Sequence, residues 1–139
     1  MDTRTSSGLA VAARLHEAVN RHDLDAMVSC FAPDFVNETP VHPARSFHGR
    51  DQVRKNWALI FATVPNLQAD MVDCASQGDT VWTEWEMRGT RPDGAQHLMR
   101  GVSIFEVADD VFASVRFYLE PVEQGGAGVD AAVRSVLER

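Results

Sequence analysis

Between Leu9 and Val19 the apolar residues Leu9, Val11, Ala12, Leu15, Ala18 and Val19 recur at three- and four-residue spacing. That is the period of a helix with one buried face, and it predicts a helix over residues 8–20. Asp23 stands where its carboxylate can cap a second, shorter helix carrying Leu24, Met27, Val28 and Phe31, which Pro33 stops. Residues 35–38 read as a short extended run. In Thr39-Pro40-Val41-His42-Pro43 each proline pushes its predecessor out of the α region, so a loop is expected from there to Gly49. A third helix has Asp51 in its first turn, sets Val53, Trp57, Ile60, Phe61 and Val64 on one face, and ends before Pro65.

Beyond Pro65 the period falls from about four residues to two, the change from helix to strand. Four consecutive strands are predicted over residues 67–75, 80–90, 95–107 and 111–120. Between them lie Gln77-Gly78-Asp79, Pro92-Asp93-Gly94 and Asp109-Asp110, residues that accept turn geometry, and connections this short make neighbours antiparallel. Gln124-Gly125-Gly126-Ala127-Gly128 reads as a flexible linker to a small terminal helix over 129–139. The expected organisation is a single α+β domain over residues 1–123, three N-terminal helices packed on one face of an antiparallel sheet. Residues 124–139 follow as a Gly-rich linker and short C-terminal helix.

Composition mainly excludes. A chain of 139 residues has room for one core and buries enough surface to need neither disulfides nor a structural metal. Twenty acidic against thirteen basic residues give a net charge of -7, the wrong sign for the basic footprint of a nucleic-acid binder. No stretch reaches the ~18 apolar residues of a membrane span and the first residues lack an apolar signal core, so a cytoplasmic protein without membrane partners is expected. Cys30 and Cys74 lack CxxC spacing and are expected to be reduced packing residues. The histidines show neither HxxxH nor HxH spacing, and no GxGxxG, Walker or GxSxG motif occurs, so neither a metal nor a cofactor is predicted.

The order of helices and strands, together with Asn20-Arg21-His22-Asp23-Leu24-Asp25-Ala26, Phe31-Ala32-Pro33-Asp34-Phe35, Phe47-His48-Gly49-Arg50-Asp51, Glu84-Trp85, residues 102–107 and Arg116-Phe117-Tyr118-Leu119-Glu120, resembles the nuclear transport factor 2-like superfamily over residues 8–122. This superfamily includes ketosteroid isomerases, SnoaL-like polyketide cyclases and limonene epoxide hydrolases. The resemblance implies a cone-shaped, cystatin-like α+β barrel and a dimer. Its isomerase signature is missing: Leu15 stands in place of the oxyanion-hole tyrosine, Thr39 in place of the base aspartate and Gly101 in place of the second oxyanion acid. The cyclases commonly carry an Asp two residues after an aromatic in the last strand, and here Glu120 follows Tyr118. The fold hosts enzymes, binders and association modules, so function must come from the site.

Strand alternation gives an expected site. If Asp109-Asp110 is a two-residue loop, Ala108 faces Val111, which sets Ser103 opposite Arg116, Gly101 opposite Tyr118 and Met99 opposite Glu120. A three-residue Pro92-Asp93-Gly94 loop sets Trp85 opposite Gly101. The inner face then holds Thr83, Trp85, Met87, His97, Met99, Gly101, Ser103, Arg116, Tyr118 and Glu120, joined by Asn37, Asn56 and Trp57. Gly101 is either a notch between two aromatic walls or a β-bulge. Glu120 is the expected proton-transfer group, assisted by His97, while Arg116, Tyr118 and Asn56 stabilise negative charge or orient substrate. His42, in the prolyl loop over the mouth, is placed to touch ligand.

Three functions stand open at this point. One is a cofactor-independent enzyme of isomerase, cyclase or hydrolase type acting on a small, largely apolar carbonyl or polycyclic compound. The second is a non-catalytic binder of such a molecule. The third is a protein-association module. A homodimer through the outer sheet face around Trp82 is expected, because that face otherwise leaves an aromatic in water.

Overall fold

The computed structural model describes residues 3–139, with side chains from residue 7 onward. Helix α1 (Thr3–Asn20) buries Val11, Ala12, Leu15, Ala18 and Val19, the face its periodicity predicts, while Leu9 is exposed. Asp23 caps α2 (Leu24–Val28) by accepting a hydrogen bond from the Ala26 N–H at 3.1 Å. This helix is shorter than expected. Cys30, whose N–H bonds the Met27 carbonyl, lies after its end, and Phe31 already opens strand β1 (Phe31–Glu38). Pro33 therefore does not stop a helix. It sits in β1 where the register with the neighbouring strand shifts, a place where its missing N–H breaks no regular ladder.

The loop after β1 holds a single 3-10 turn (Pro43–Arg45) and a short strand β2 (Phe47–His48) that pairs with β1. Helix α3 (Arg50–Thr63) follows, burying Val53 fully and laying Trp57, Ile60 and Phe61 partly against the core. Then come β3 (Gln68–Gln77), β4 (Thr80–Thr90), β5 (Gln96–Ala108), β6 (Val111–Phe117) and β7 (Glu120–Pro121), and finally α4 (Val129–Leu137), all of whose residues are exposed. The sheet order is β2-β1-β6-β5-β4-β3, with β7 added to β5. The meander from β3 to β6 is antiparallel as predicted, but β1 joins β6 in parallel, so the sheet is mixed. The result is an α+β cone: α1, α2 and α3 fill the concave side of a curled sheet, and α4 stands apart from it.

Two registers decide the site. β4 and β5 pair as the Pro92-Asp93-Gly94 loop requires, with Gly94 at φ +85° and Trp85 opposite Gly101. Between β5 and β6 the hairpin starts as expected, Ala108 opposite Val111 and Val107 opposite Phe112, but Glu106 then faces Ser114. Ala113 is thus an extra residue, a bulge, and every later pair is displaced by one: Arg116 faces Ile104, Phe117 faces Ser103 and Glu120 faces Arg100. A one-residue slip exchanges the two faces of a strand. Val115, Phe117 and Leu119 consequently point into the cone, and the inward placement expected for Arg116 and Tyr118 is wrong.

Gly101 resolves as a close backbone approach rather than a notch. A Cβ there would lie 2.2 Å from the Tyr118 carbonyl oxygen and 2.7 Å from Leu119 Cα. The backbone of residues 118–119 fills the space that a side chain would need.

Candidate functional site

The cone encloses a cavity of about 260 Å³. Its floor and walls are apolar: Leu15 and Val19 from α1, Met27 from α2, Phe31 and Phe35 from β1, Val53, Trp57 and Ile60 from α3, Trp85, Met87, Phe105, Val115 and Phe117 from the later strands, and Leu119 from the break between β6 and β7. Among these, Trp57, Trp85 and Met87 are predicted positions. Ser103, Asn37 and Asn56, also predicted, border the cavity as well, together with Thr39, Arg45, Phe47 and Glu120.

The remaining predicted residues fall elsewhere. Thr83 is completely buried behind the wall, accepting from Trp85 Nε1 at 2.8 Å and donating to the Ser103 carbonyl at 2.8 Å. This relay fixes the Trp85 ring that the cavity sees. Met99 packs against the core without bordering the cavity. Arg116 and Tyr118 are on the outer side of the last strand, Tyr118 36% exposed. His97 lies opposite Gly89 and does not line the cavity; burial, with the Arg91 charge beside it, holds its pKa below the usual histidine value.

Glu120 does reach the site, with a different histidine. The strand is interrupted at Tyr118 and Leu119, so the alternation stops and both Leu119 and Glu120 border the cavity, one from the wall and one from the rim. At the rim the Glu120 carboxylate lies 3.0 Å from His42 Nε2 and 3.9 Å from an Arg45 guanidinium nitrogen. His42 and Glu120 side chains are each 38% exposed, so water and ligand can both reach the pair.

The loop that carries His42 and Arg45 is held by its own hydrogen bonds. Its prolines keep the residues before them out of the α region and Pro43 opens the 3-10 turn: the His42 N–H bonds the Thr39 carbonyl, the Arg45 N–H the His42 carbonyl and the Thr39 N–H the Ser46 hydroxyl, all between 2.9 and 3.0 Å. Thr39 is tied in turn to Asn37, whose Nδ2 donates to its Oγ1 at 3.0 Å. The mouth is therefore a preformed bracket in which a carboxylate and a guanidinium border the apolar chamber and the imidazole pairs with the carboxylate without itself lining the cavity. Among the described residues no cluster of three His, Cys, Asp or Glu side chains is arranged to hold a metal ion. Cys30 is free and buried, and burial pushes its thiol up from the ordinary value against the lowering pull of Arg14, which makes it a packing residue rather than a nucleophile.

A family comparison decides the ancestry of this cone: the SnoaL-like domain matches residues 12–115. The chain belongs to the SnoaL-like domain family. No curated protein matches this SnoaL-like domain in sequence. Several solved structures share its fold. AclR from Streptomyces galilaeus, a proposed hydroxylase, superposes with a TM-score of 0.76 at 15% identity over 94% of both chains. An LEH-like epoxide hydrolase from M. tuberculosis gives 0.71 at 16% identity over 84% of both chains. IdmH from Streptomyces antibioticus, a proposed polyketide cyclase, gives 0.70 at 24% identity, covering 81% of this chain and 91% of its own. At these identities the likeness establishes the fold and leaves the reaction to the site.

Proposed function

We propose that this SnoaL-like domain is a cofactor-independent enzyme that performs acid–base chemistry on a compact, largely apolar carbonyl or polycyclic compound. The observation that carries this reading is the Glu120 carboxylate on the rim of an apolar chamber, paired with His42 at 3.0 Å. A chamber of about 260 Å³ lies just below the usual range for drug-sized ligands, so it suits one compact skeleton rather than an extended chain. With the apolar body held between Trp57, Trp85 and Phe117, the polar end of the molecule comes to the rim. There Glu120 takes a proton from the carbon next to a carbonyl, or activates a water, and His42 orients the carboxylate and exchanges the proton with solvent. Asn56 and Thr39 supply hydrogen bonds to the oxygen on which negative charge develops. The family and the epoxide hydrolase, cyclase and hydroxylase neighbours support this class of chemistry without naming a substrate.

The test is a panel of bicyclic and tricyclic ketones, quinones and epoxides, read first by thermal shift and then by product analysis. The enzyme reading expects Glu120→Gln to keep ligand binding and lose about 10²-fold or more in turnover. Full turnover in Glu120→Gln rejects Glu120 as the acid–base group. Binding without turnover anywhere in the panel leaves the domain a small-molecule binder.

On the outer sheet face Trp82 is 37% and Val72 58% exposed, and we infer that this face pairs with a second copy of the chain. Sedimentation at micromolar concentration should show a dimer that Trp82→Glu dissociates; a wild-type monomer rejects it. The cone ends at residue 123 in this reading, with residues 124–139 an appended linker and helix.

A further inference from the structure

Asn56 borders the cavity from α3, and one turn earlier on the same helix Gln52 donates from its Nε2 to Asn56 Oδ1 at 2.8 Å. Residues four apart share a helix face, so the pair is close by construction. A carboxamide has one acceptor end and one donor end. With Oδ1 taken by Gln52, the Nδ2 end is the part of Asn56 left to meet a ligand. The amide of Asn37, on β1, is turned the other way: one N–H of its Nδ2 donates to Thr39 Oγ1, and its oxygen is the acceptor it can offer. The chamber therefore has a donor at the helix side and an acceptor at the β1 side.

We propose that Gln52, which does not line the cavity, is a positioning residue that turns the N–H donors of Asn56 toward the ligand and so selects molecules presenting an acceptor oxygen there. Ketones, quinones and their enolates meet that requirement; hydrocarbons of the same shape do not. The inference rests on the reading of the cavity as a ligand site and specifies the polarity of that site. It also makes position 52 a switch. A Glu at 52 can only accept, so Asn56 must donate to it and show its oxygen to the chamber. A Lys at 52 can only donate, so Asn56 keeps the wild-type orientation. Gln52 is in the first turn of α3 and only partly buried, so either residue is accommodated without disturbing the core.

The experiment titrates 15N-labelled wild type, Gln52→Glu and Gln52→Lys with 2-acetylnaphthalene and with 2-ethylnaphthalene, which differ in the carbonyl oxygen and little in shape. Wild type and Gln52→Lys should bind the ketone about tenfold more tightly than the hydrocarbon, one hydrogen bond's difference. Gln52→Glu should lose that preference while its affinity for the hydrocarbon stays within about twofold of wild type. A ketone preference kept in Gln52→Glu, or lost in Gln52→Lys, overturns the proposal. The ligand-free spectra test it separately: the Asn56 side-chain N–H signals should move downfield in Gln52→Glu and stay in place in Gln52→Lys, and the reverse pattern overturns it. If neither naphthalene perturbs Trp57 or Trp85 in wild type, the reading of the cavity as a ligand site fails, and the Asn56 signals alone then decide the amide orientation.

Discussion

The pairing of β4 with β5 and the pairing of β5 with β6 begin from short hairpin loops, of three and two residues, and end differently. In the first the loop register persists for the whole ladder, from Thr90 opposite Gln96 to Thr80 opposite Glu106. In the second one extra residue, Ala113, intervenes after two pairs, and everything beyond it changes face. A loop fixes register only as far as the next bulge. The site is assembled on the far side of that bulge, where Phe117 and Leu119 form the wall and Glu120 reaches the rim.

The two sides of the bulge should therefore respond unequally to substitution. The largest effect is expected at Phe112, the last residue before it, which is fully buried and stacks on Phe105 with ring centroids 3.8 Å apart. Phe112→Ala should cost about 3–5 kcal/mol in urea unfolding; a cost below about 1 kcal/mol would place that ring outside the core. Next comes Gly101, where the displaced strand crosses β5. Gly101→Ala drives a Cβ into the Tyr118 carbonyl and should cost about 2–4 kcal/mol. Gly94→Ala, also at positive φ but with nothing within 4 Å, should cost only about 1 kcal/mol. Equal costs would mean that conformation alone, and not close approach, governs both. The smallest effect belongs to Arg116, beyond the bulge and facing out. Arg116→Met should change stability by no more than about 0.5 kcal/mol, whereas a loss near 3 kcal/mol would return it to the interior.

Much of this was legible in the chain. The helix faces, the meander and the Trp85–Gly101 pair follow from periodicity and turn chemistry, because each depends on residues near in sequence. The parallel seating of β1 on β6 does not, since it joins segments some eighty residues apart. The bulge itself leaves no break in the pattern, because Val111, Ala113, Val115, Phe117 and Leu119 are apolar at every odd position, yet that set marks the face that turns inward beyond it. A reading by that apolar set, rather than by the loop alone, turns Arg116 and Tyr118 outward. The choice of His42 over His97 as the partner of Glu120 had no such trace, because it depends on how a prolyl loop folds across the mouth.

That choice is also the central claim about the site, and turnover tests it most directly. On a substrate found by the panel, kcat should fall about 10²-fold in both Glu120→Gln and His42→Gln, and combining the two should add little because the pair acts as one unit. His97→Gln, outside the cavity, should leave kcat within about twofold of wild type. A loss of turnover in His97→Gln with His42→Gln unaffected would contradict the account, and would put the acid–base group at the start of β5, outside the cavity.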